Sequence, residues 1–172
     1  YLMQYRDRAE GDEPYPPLTV EEFTGEYLLE SQTGMTIDDV VQLMIEYPDI
    51  YMVTDTKETL ETGLLIVFEE IIAAAEYYDP AVLDRFIPQL YNKEMIHWVK
   101  AIHPFENWIF TLYLYNNPDY DDIANYCISN GIQTVTLHVD RATKENVSKL
   151  KAKGLKVYAH TTNRYLTMKN LL

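Results

Sequence analysis

With one cysteine in 172 residues, Cys127, the chain forms no internal disulfide, so its stability has to come from packing. Cations are scarce as well: 14 Lys and Arg stand against 27 Asp and Glu, a formal charge of −13. Nucleic-acid binding needs clustered Lys and Arg to neutralise phosphates, and this balance argues against it. Glycine occurs six times, and no Gly-rich fingerprint follows any strand pattern, which leaves nucleotide-binding folds without their phosphate cradle. No run of ~18 apolar residues is present to span a bilayer, and no signal-peptide pattern is visible. The four histidines show no metal-ligand spacing.

What is present suits a globular chain. Apolar residues make up 47%, with 15 tyrosines and 5 phenylalanines, enough to bury a core. The length fits one domain over residues 1–172, within which residues 1–17, ending in Pro14-Tyr15-Pro16-Pro17, read as a linker or loop. The acids fall mostly in helical and loop patterns, where they form a solvated surface; an acidic field also concentrates divalent cations. Cys127 lies on a helical face that ends at Gly131, which reads as a small buried hydrophobe.

Thr19-Val20-Glu21-Glu22 and Thr36-Ile37-Asp38-Asp39 both resemble N-terminal capping boxes. Apolar spacing after Thr36 (Ile37, Val40, Val41, Met44, Ile45) predicts a helix that stops at Pro48, and a strand follows at 50–55. A helix over Thr59–Tyr78 carries Leu60, Leu64, Val67, Phe68, Ile71, Ile72 and Ala75 on one face. Strand Arg85–Tyr91, helix Lys93–Ile102, strand Trp108–Tyr115 and helix Tyr120–Asn130 come next, the last closed by Gly131 in a left-handed cap. Strand Thr134–Val139, helix Thr143–Lys153, strand Lys156–Thr161 and a helix starting near Arg164 complete the pattern.

Five strands separated by helices are the signature of a parallel α/β sheet, either open and doubly wound or part of a barrel. The barrel is favoured because polar residues collect at successive strand ends: Asp55 and Lys57, Gln89 and Tyr91, Tyr113, His138, then His160 and Asn163.

The segment Asp49–Glu58 is the richest in chemistry. As a strand it puts Tyr51, Val53, Asp55 and Lys57 on one face, an acid and an amine side by side where desolvation is costly unless they are paired or used. Asp55 suits a divalent-metal ligand, with Lys57 a compact cation for a phosphate oxygen; a structural ion pair is the competing reading. A Schiff-base amine at Lys57 is a third, and it requires a depressed pKa. His97 and His103 read as groups at the surface or behind a site residue, whereas His138 and His160 lie at strand ends where a pocket role is open. Gln89 and Tyr91 share a face, as do Thr111 and Tyr113, either lining a pocket or filling the barrel.

On these residues the chain resembles the glycerophosphodiester phosphodiesterase family, among the barrels similar to phosphatidylinositol-specific phospholipase C. The matching segments are Met35–Val40, Val53-Thr54-Asp55-Thr56-Lys57, Ile87–Asn92, Trp108–Tyr113, and Lys153-Gly154-Leu155-Lys156-Val157-Tyr158 leading into His160-Thr161-Thr162-Asn163. The resemblance implies a TIM-type (β/α)8 barrel of which this chain supplies strands three to seven. It implies metal-assisted hydrolysis of a glycerophosphodiester to an alcohol and glycerol phosphate, with Mg2+ or Ca2+ as cofactor and a small phosphodiester as substrate. It puts Asp55 where the family usually has a metal-binding glutamate and Lys57 where it has a lysine near the phosphate. Gln89, Tyr91, Tyr113 and His160 become substrate contacts, His160 standing where many members have tryptophan. The family's histidine motif, its Glu-x-Asp strand and its Gly-x-x-x-Thr-Asp strand are missing, so the acid/base histidines are expected upstream of Tyr1. Self-association through open barrel edges is expected, and no turnover by this chain alone. The alternative is a non-catalytic barrel that binds a phosphorylated ligand or serves as a scaffold.

Overall fold

The structure, a computed structural model, describes residues 19–25, 27–29, 32–162 and 164–171; the expected linker at 1–17 and the strand-end Asn163 lie outside them. Helix α1 (Val20–Gly25) opens where Glu22 and Thr19 bond reciprocally, and a short antiparallel pair, β1 (Tyr27–Leu29) with β2 (Gln32–Thr33), follows. Helix α2 (Ile37–Glu46) begins at the capping box anticipated at Thr36: Asp39 N–H donates to Thr36 Oγ1 (3.2 Å), and Thr36 N–H returns a bond to Asp39 Oδ2 (2.8 Å).

The remaining elements alternate. They are β3 (Met52–Thr54), α3 (Glu61–Tyr78), a 3-10 turn at Pro80–Arg85, β4 (Phe86–Leu90), α4 (Met95–Ile102), β5 (Ile109–Thr111) and α5 (Tyr120–Asn130). Then come β6 (Thr134–His138), a 3-10 turn at Val139–Arg141, α6 (Lys144–Ala152), β7 (Lys156–His160) and α7 (Tyr165–Leu171). β3 to β7 form one parallel sheet in strictly sequential order. A doubly wound sheet reverses its order at a switch point and carries helices on both faces. Here Phe86, Leu90, Phe110, Val135 and Leu137 are buried in one core with the helices. The opposite face, through Val53, Gln89, Thr136 and Tyr158, lines an open cleft of about 370 Å³ to which no helix contributes. That is part of a (β/α)8 barrel seen from its lumen, as expected. Among the described residues β3 and β7 have a neighbour on one side only.

The core explains the α3 pattern. Leu64, Phe68, Ile71 and Ala75 are buried at i, i+4, i+7 and i+11, while Val67 and Ile72 flank them half-buried. Leu60, expected on the same face, is exposed instead, because it precedes the first helical turn. All five strands of the sheet are shorter than anticipated, and two of the differences bear on the site. β3 ends at Thr54, before Asp55, and β5 ends at Thr111, so Tyr113 projects from the following turn. Cys127 is fully buried and burial pushes its thiol up to about 12, so it packs as a hydrophobe.

Gly131 ends α5 with φ 71°, and its N–H reaches the carbonyls of Cys127 and Ile128. A Cβ there meets nothing within 4 Å, so only the backbone conformation resists substitution. Gly131→Ala is expected to cost about 1 kcal/mol in urea unfolding and Gly131→Asn less, since Asn tolerates the left-handed region. Equal stability of all three would mean that the turn relaxes to negative φ.

Candidate functional site at the carboxyl ends of the strands

β3 and β4 pair with Val53 opposite Ile87, which brings Asp55 alongside Gln89. Pro88 has no N–H for the ladder, and the next donor, Gln89 N–H, turns to Thr54 Oγ1 (3.3 Å), tying the two strand ends together. Asn92 ties the next layer. Its Nδ2 donates to Thr59 O (3.2 Å), while its Oδ1 accepts from Glu94 N–H and Met95 N–H (both 3.1 Å) at the start of α4. The loop carrying Lys57 is thereby fastened to the end of β4.

Within this frame Lys57 Nζ donates to Asp55 Oδ2 (2.7 Å) and to Tyr91 Oη (3.0 Å). Gln89 Nε2 donates to Asp55 Oδ1 (3.1 Å) and Tyr91 Oη (3.1 Å), and Tyr91 O–H donates to Asp55 Oδ1 in a short bond. The rings of Tyr91 and Tyr113 lie 5.4 and 5.9 Å from the ammonium and meet each other edge to face at 6.4 Å. Asp55 and Lys57 therefore do meet, though not through the pleat. Lys57 has φ 58°, a left-handed residue in a turn, and the turn swings its amine back onto the carboxylate.

Burial alone would raise the Asp55 pKa, but hydrogen bonds from Lys57 and Tyr91, the Lys57 charge and Gln89 outweigh it, and the carboxyl sits below its ordinary value. Burial would lower Lys57, yet Asp55 and Tyr91 hold it above its ordinary value. Lys57 is thus not the depressed amine that Schiff-base chemistry requires, and the aldolase reading loses its physical basis. Tyr91 is buried, and burial together with the bond to Asp55 raises its phenol. The side chains of Lys57 and Asp55 remain 56% and 50% exposed, so the pair adds little to stability and its amine is reachable from solvent. Because Asp55 is depressed in the folded state, its contribution is complete above the ordinary carboxylate pKa and is lost as pH falls through its own lower value. The stability difference between wild type and Asp55→Asn should accordingly shrink in acid titrations below about pH 4, and a constant difference would contradict the pairing.

At the far side of the same edge, His138 on β6 lies opposite His160 on β7, their rings 5.8 Å apart and nearly perpendicular. Asp140 N–H donates to His138 Nδ1 (3.3 Å), and Asp140 Oδ2 lies at the same distance. His160 Nδ1 bonds Thr161 Oγ1 (2.9 Å), while its Nε2 is buried with no partner among the described residues. Thr161 holds φ 67°, a strained conformation for a β-branched residue, costing of order 1 kcal/mol or more. Burial lowers the His160 pKa, and His138, Arg141 and Lys57 lower it further.

Asp55, Lys57, Gln89, Tyr91 and Tyr113 thus form one contact cluster, and His160 belongs to a separate histidine pair on β6 and β7. His97 is exposed as expected, and His103 packs its ring against Phe105 at 4.6 Å. Sequence reasoning missed Arg141, which donates to Tyr115 O in a short bond, and Thr161; no pattern in the chain marks either. As a metal centre the cluster falls short. Asp55 is a single carboxylate whose oxygens already accept from three side chains, and no group of three His, Cys, Asp or Glu able to hold a metal comes together among the described residues. These residues do not by themselves fit a divalent ion.

No protein-family model matches the chain, and no curated protein matches it in sequence. Among solved structures it is similar to a candidate glycerophosphodiester phosphodiesterase from Galdieria sulphuraria, with a TM-score of 0.71 and 16% identity over 94% of this chain and 65% of that one. It is also similar to a candidate glycerophosphoryl diester phosphodiesterase from Silicibacter pomeroyi DSS-3, with a TM-score of 0.60 and 17% identity over 78% of this chain and 48% of that one. The chain spans less than two thirds of the length of either. At these identities the likeness shows the fold: the chain is a five-stranded part of the TIM-type barrel seen in both structures.

Proposed function

We propose that this chain forms the phosphate-binding part of a glycerophosphodiester phosphodiesterase-like site, with Lys57 as the group that meets the phosphodiester anion. The observation that carries this reading is the half-exposed Lys57 ammonium, oriented by Asp55 and Tyr91 at the carboxyl end of a barrel sheet. It is supported by the fold shared with two candidate phosphodiesterases. A lysine positioned in this way offers a cation to phosphate oxygens, and preorganised charge of this kind stabilises a phosphoryl transition state more than its ground state. Gln89 and Tyr91 hold the carboxylate that orients it, and Tyr113 offers an exposed aromatic wall for the alcohol group. Divalent-ion assistance and the acid/base steps belong to donors beyond those described here. On this reading the whole protein is a phosphoric diester hydrolase.

The second reading, a barrel that binds a phosphorylated ligand without hydrolysing it, draws on the lack of a metal-holding group among the described residues. Both readings require binding. Calorimetric titration of glycerophosphocholine, with choline and glycerol as controls, should give saturable binding for the phosphodiester alone. Equal heats for all three would overturn both. The 172-residue chain is expected to bind without turnover, and hydrolysis at an ordinary enzyme rate would refute the assignment of the acid/base groups elsewhere.

A further inference from the structure

We infer that Asn92 is a positioning residue for the phosphate site: it makes no hydrogen bond to the Lys57 cluster, yet through Thr59 it holds the turn that presents the Lys57 ammonium. The inference rests on the phosphodiester reading above and deepens it by naming a residue that sets the strength of anion binding.

The turn between β3 and α3 has two unfavourable features of its own. Lys57 holds φ 58°, which a side chain with a Cβ resists, and Thr56 Oγ1 is buried with no partner among the described residues. Such a conformation persists only where its surroundings over-determine it. Upstream, Gln89 N–H donates to Thr54 Oγ1 (3.3 Å), while Gln89 Nε2 and Tyr91 O–H donate to Asp55. Downstream, Asn92 Nδ2 donates to Thr59 O (3.2 Å). Glu58, between Lys57 and that tie, lies against Gly63 in the first turn of α3, where a Cβ would stand 2.6 Å from Glu58 Oε2. Lys57 is thus the midpoint of a strap pinned on both sides.

Asparagine suits this task because both ends of its amide are used. Oδ1 faces two donors, Glu94 N–H and Met95 N–H (both 3.1 Å), so Nδ2 is the atom turned to the Thr59 carbonyl. The amide is held by the start of α4 before it reaches the turn, and it refers the position of Lys57 to that helix. Without the tie the turn is free to relax its positive φ, and Lys57 divides its time between its place at Asp55 and others. A site that is competent for a fraction of the time binds more weakly by that fraction.

Asn92→Ser separates the tie from the cap. Serine accepts from backbone N–H groups at a helix start much as asparagine does, but it has no second arm for Thr59 O. In calorimetric titration of the 172-residue chain with glycerophosphocholine, the variant should bind about 10-fold more weakly, the loss when the competent geometry is held about a tenth of the time. Its urea midpoint should stay near that of the unmodified chain. By NMR without ligand, the Lys57 HN–Hα coupling, which reports φ, should leave its left-handed value, a change that a purely structural cap would not produce. Asn92→Asp also keeps the cap and lacks the donor, so it should move the same coupling even if the serine variant is too unstable to titrate. Asn130→Ser removes a comparable amide-to-carbonyl bond, to Tyr126 O at the end of α5, and should change neither readout. An unmoved Lys57 coupling or an undiminished affinity in both Asn92 variants would overturn this inference alone. No binding of glycerophosphocholine by the unmodified chain would overturn the phosphodiester reading and this inference together.

Discussion

Replacing Lys57 with methionine should weaken glycerophosphocholine binding by about 10- to 100-fold, the range expected when a charge-assisted hydrogen bond is lost at a partly desolvated site. Methionine keeps the length and packing of the side chain, so the fold should survive and the loss should fall on the anion. Lys57→Arg should recover only part of the affinity, because the broad guanidinium does not fit a turn built around a compact ammonium held by Asp55 and Tyr91. Asp55→Asn separates the two meanings of the acid. If Asp55 only neutralises and orients Lys57, removing its charge frees the amine, and metal-free binding tightens. An attraction of about 1 kcal/mol between unit charges at 4 Å in water sets the scale, a few-fold in affinity.

The second large effect concerns the scaffold. Phe110→Ala should destabilise the chain by about 3–5 kcal/mol, read as a lower urea midpoint, because a fully buried aromatic leaves a cavity that a packed interior fills only partly. Phe110 sits in β5, the middle strand of the sheet, and its ring tilts against Tyr115 and Tyr126 at 5.6 and 5.4 Å. Tyr126 in turn donates to Lys93 O (2.7 Å) in the turn between β4 and α4, so the lost ring also loosens the segment that follows Tyr91. Against a typical domain stability of about 5–15 kcal/mol, this single change brings the chain near its unfolding limit. A midpoint shift no larger than that of an exposed control such as Tyr77→Ala would show that the aromatic layer is not central to the core.

The fold was legible wherever one local rule dominated. α3 is long enough for its period to be unmistakable, and Asn130-Gly131 could close α5 only by a left-handed turn. The barrel reading was legible because polar groups gathered at one end of successive strands. Strand limits were not. Trp108–Tyr115 is rich in residues that favour strands, yet the ladder between β5 and β6 closes at Thr111, with one further bond from Leu112 N–H to Thr136 O (2.8 Å). Propensity alone does not encode where a neighbouring strand stops. The meeting of Asp55 and Lys57 was anticipated for an incomplete reason. Alternation along a strand suggested it, whereas a left-handed turn at Lys57 produces it, and no glycine or asparagine stands in Thr54–Glu58 to mark that turn. The bonds from Gln89 and Tyr91 to Asp55 depend on the β3–β4 register, and those around His160 on a strained Thr161; both are tertiary facts.

The central claim is that the Lys57 cluster receives a phosphodiester anion. Its most direct measurement is an NMR titration of the 172-residue chain with glycerophosphocholine, following the side-chain signals of Lys57, Gln89 and Tyr91. The account predicts saturable shifts at all three with one common dissociation constant, and silence at Lys100 and Lys149 on the helices. Shifts spread evenly over the lysines, or none at Lys57, would contradict it.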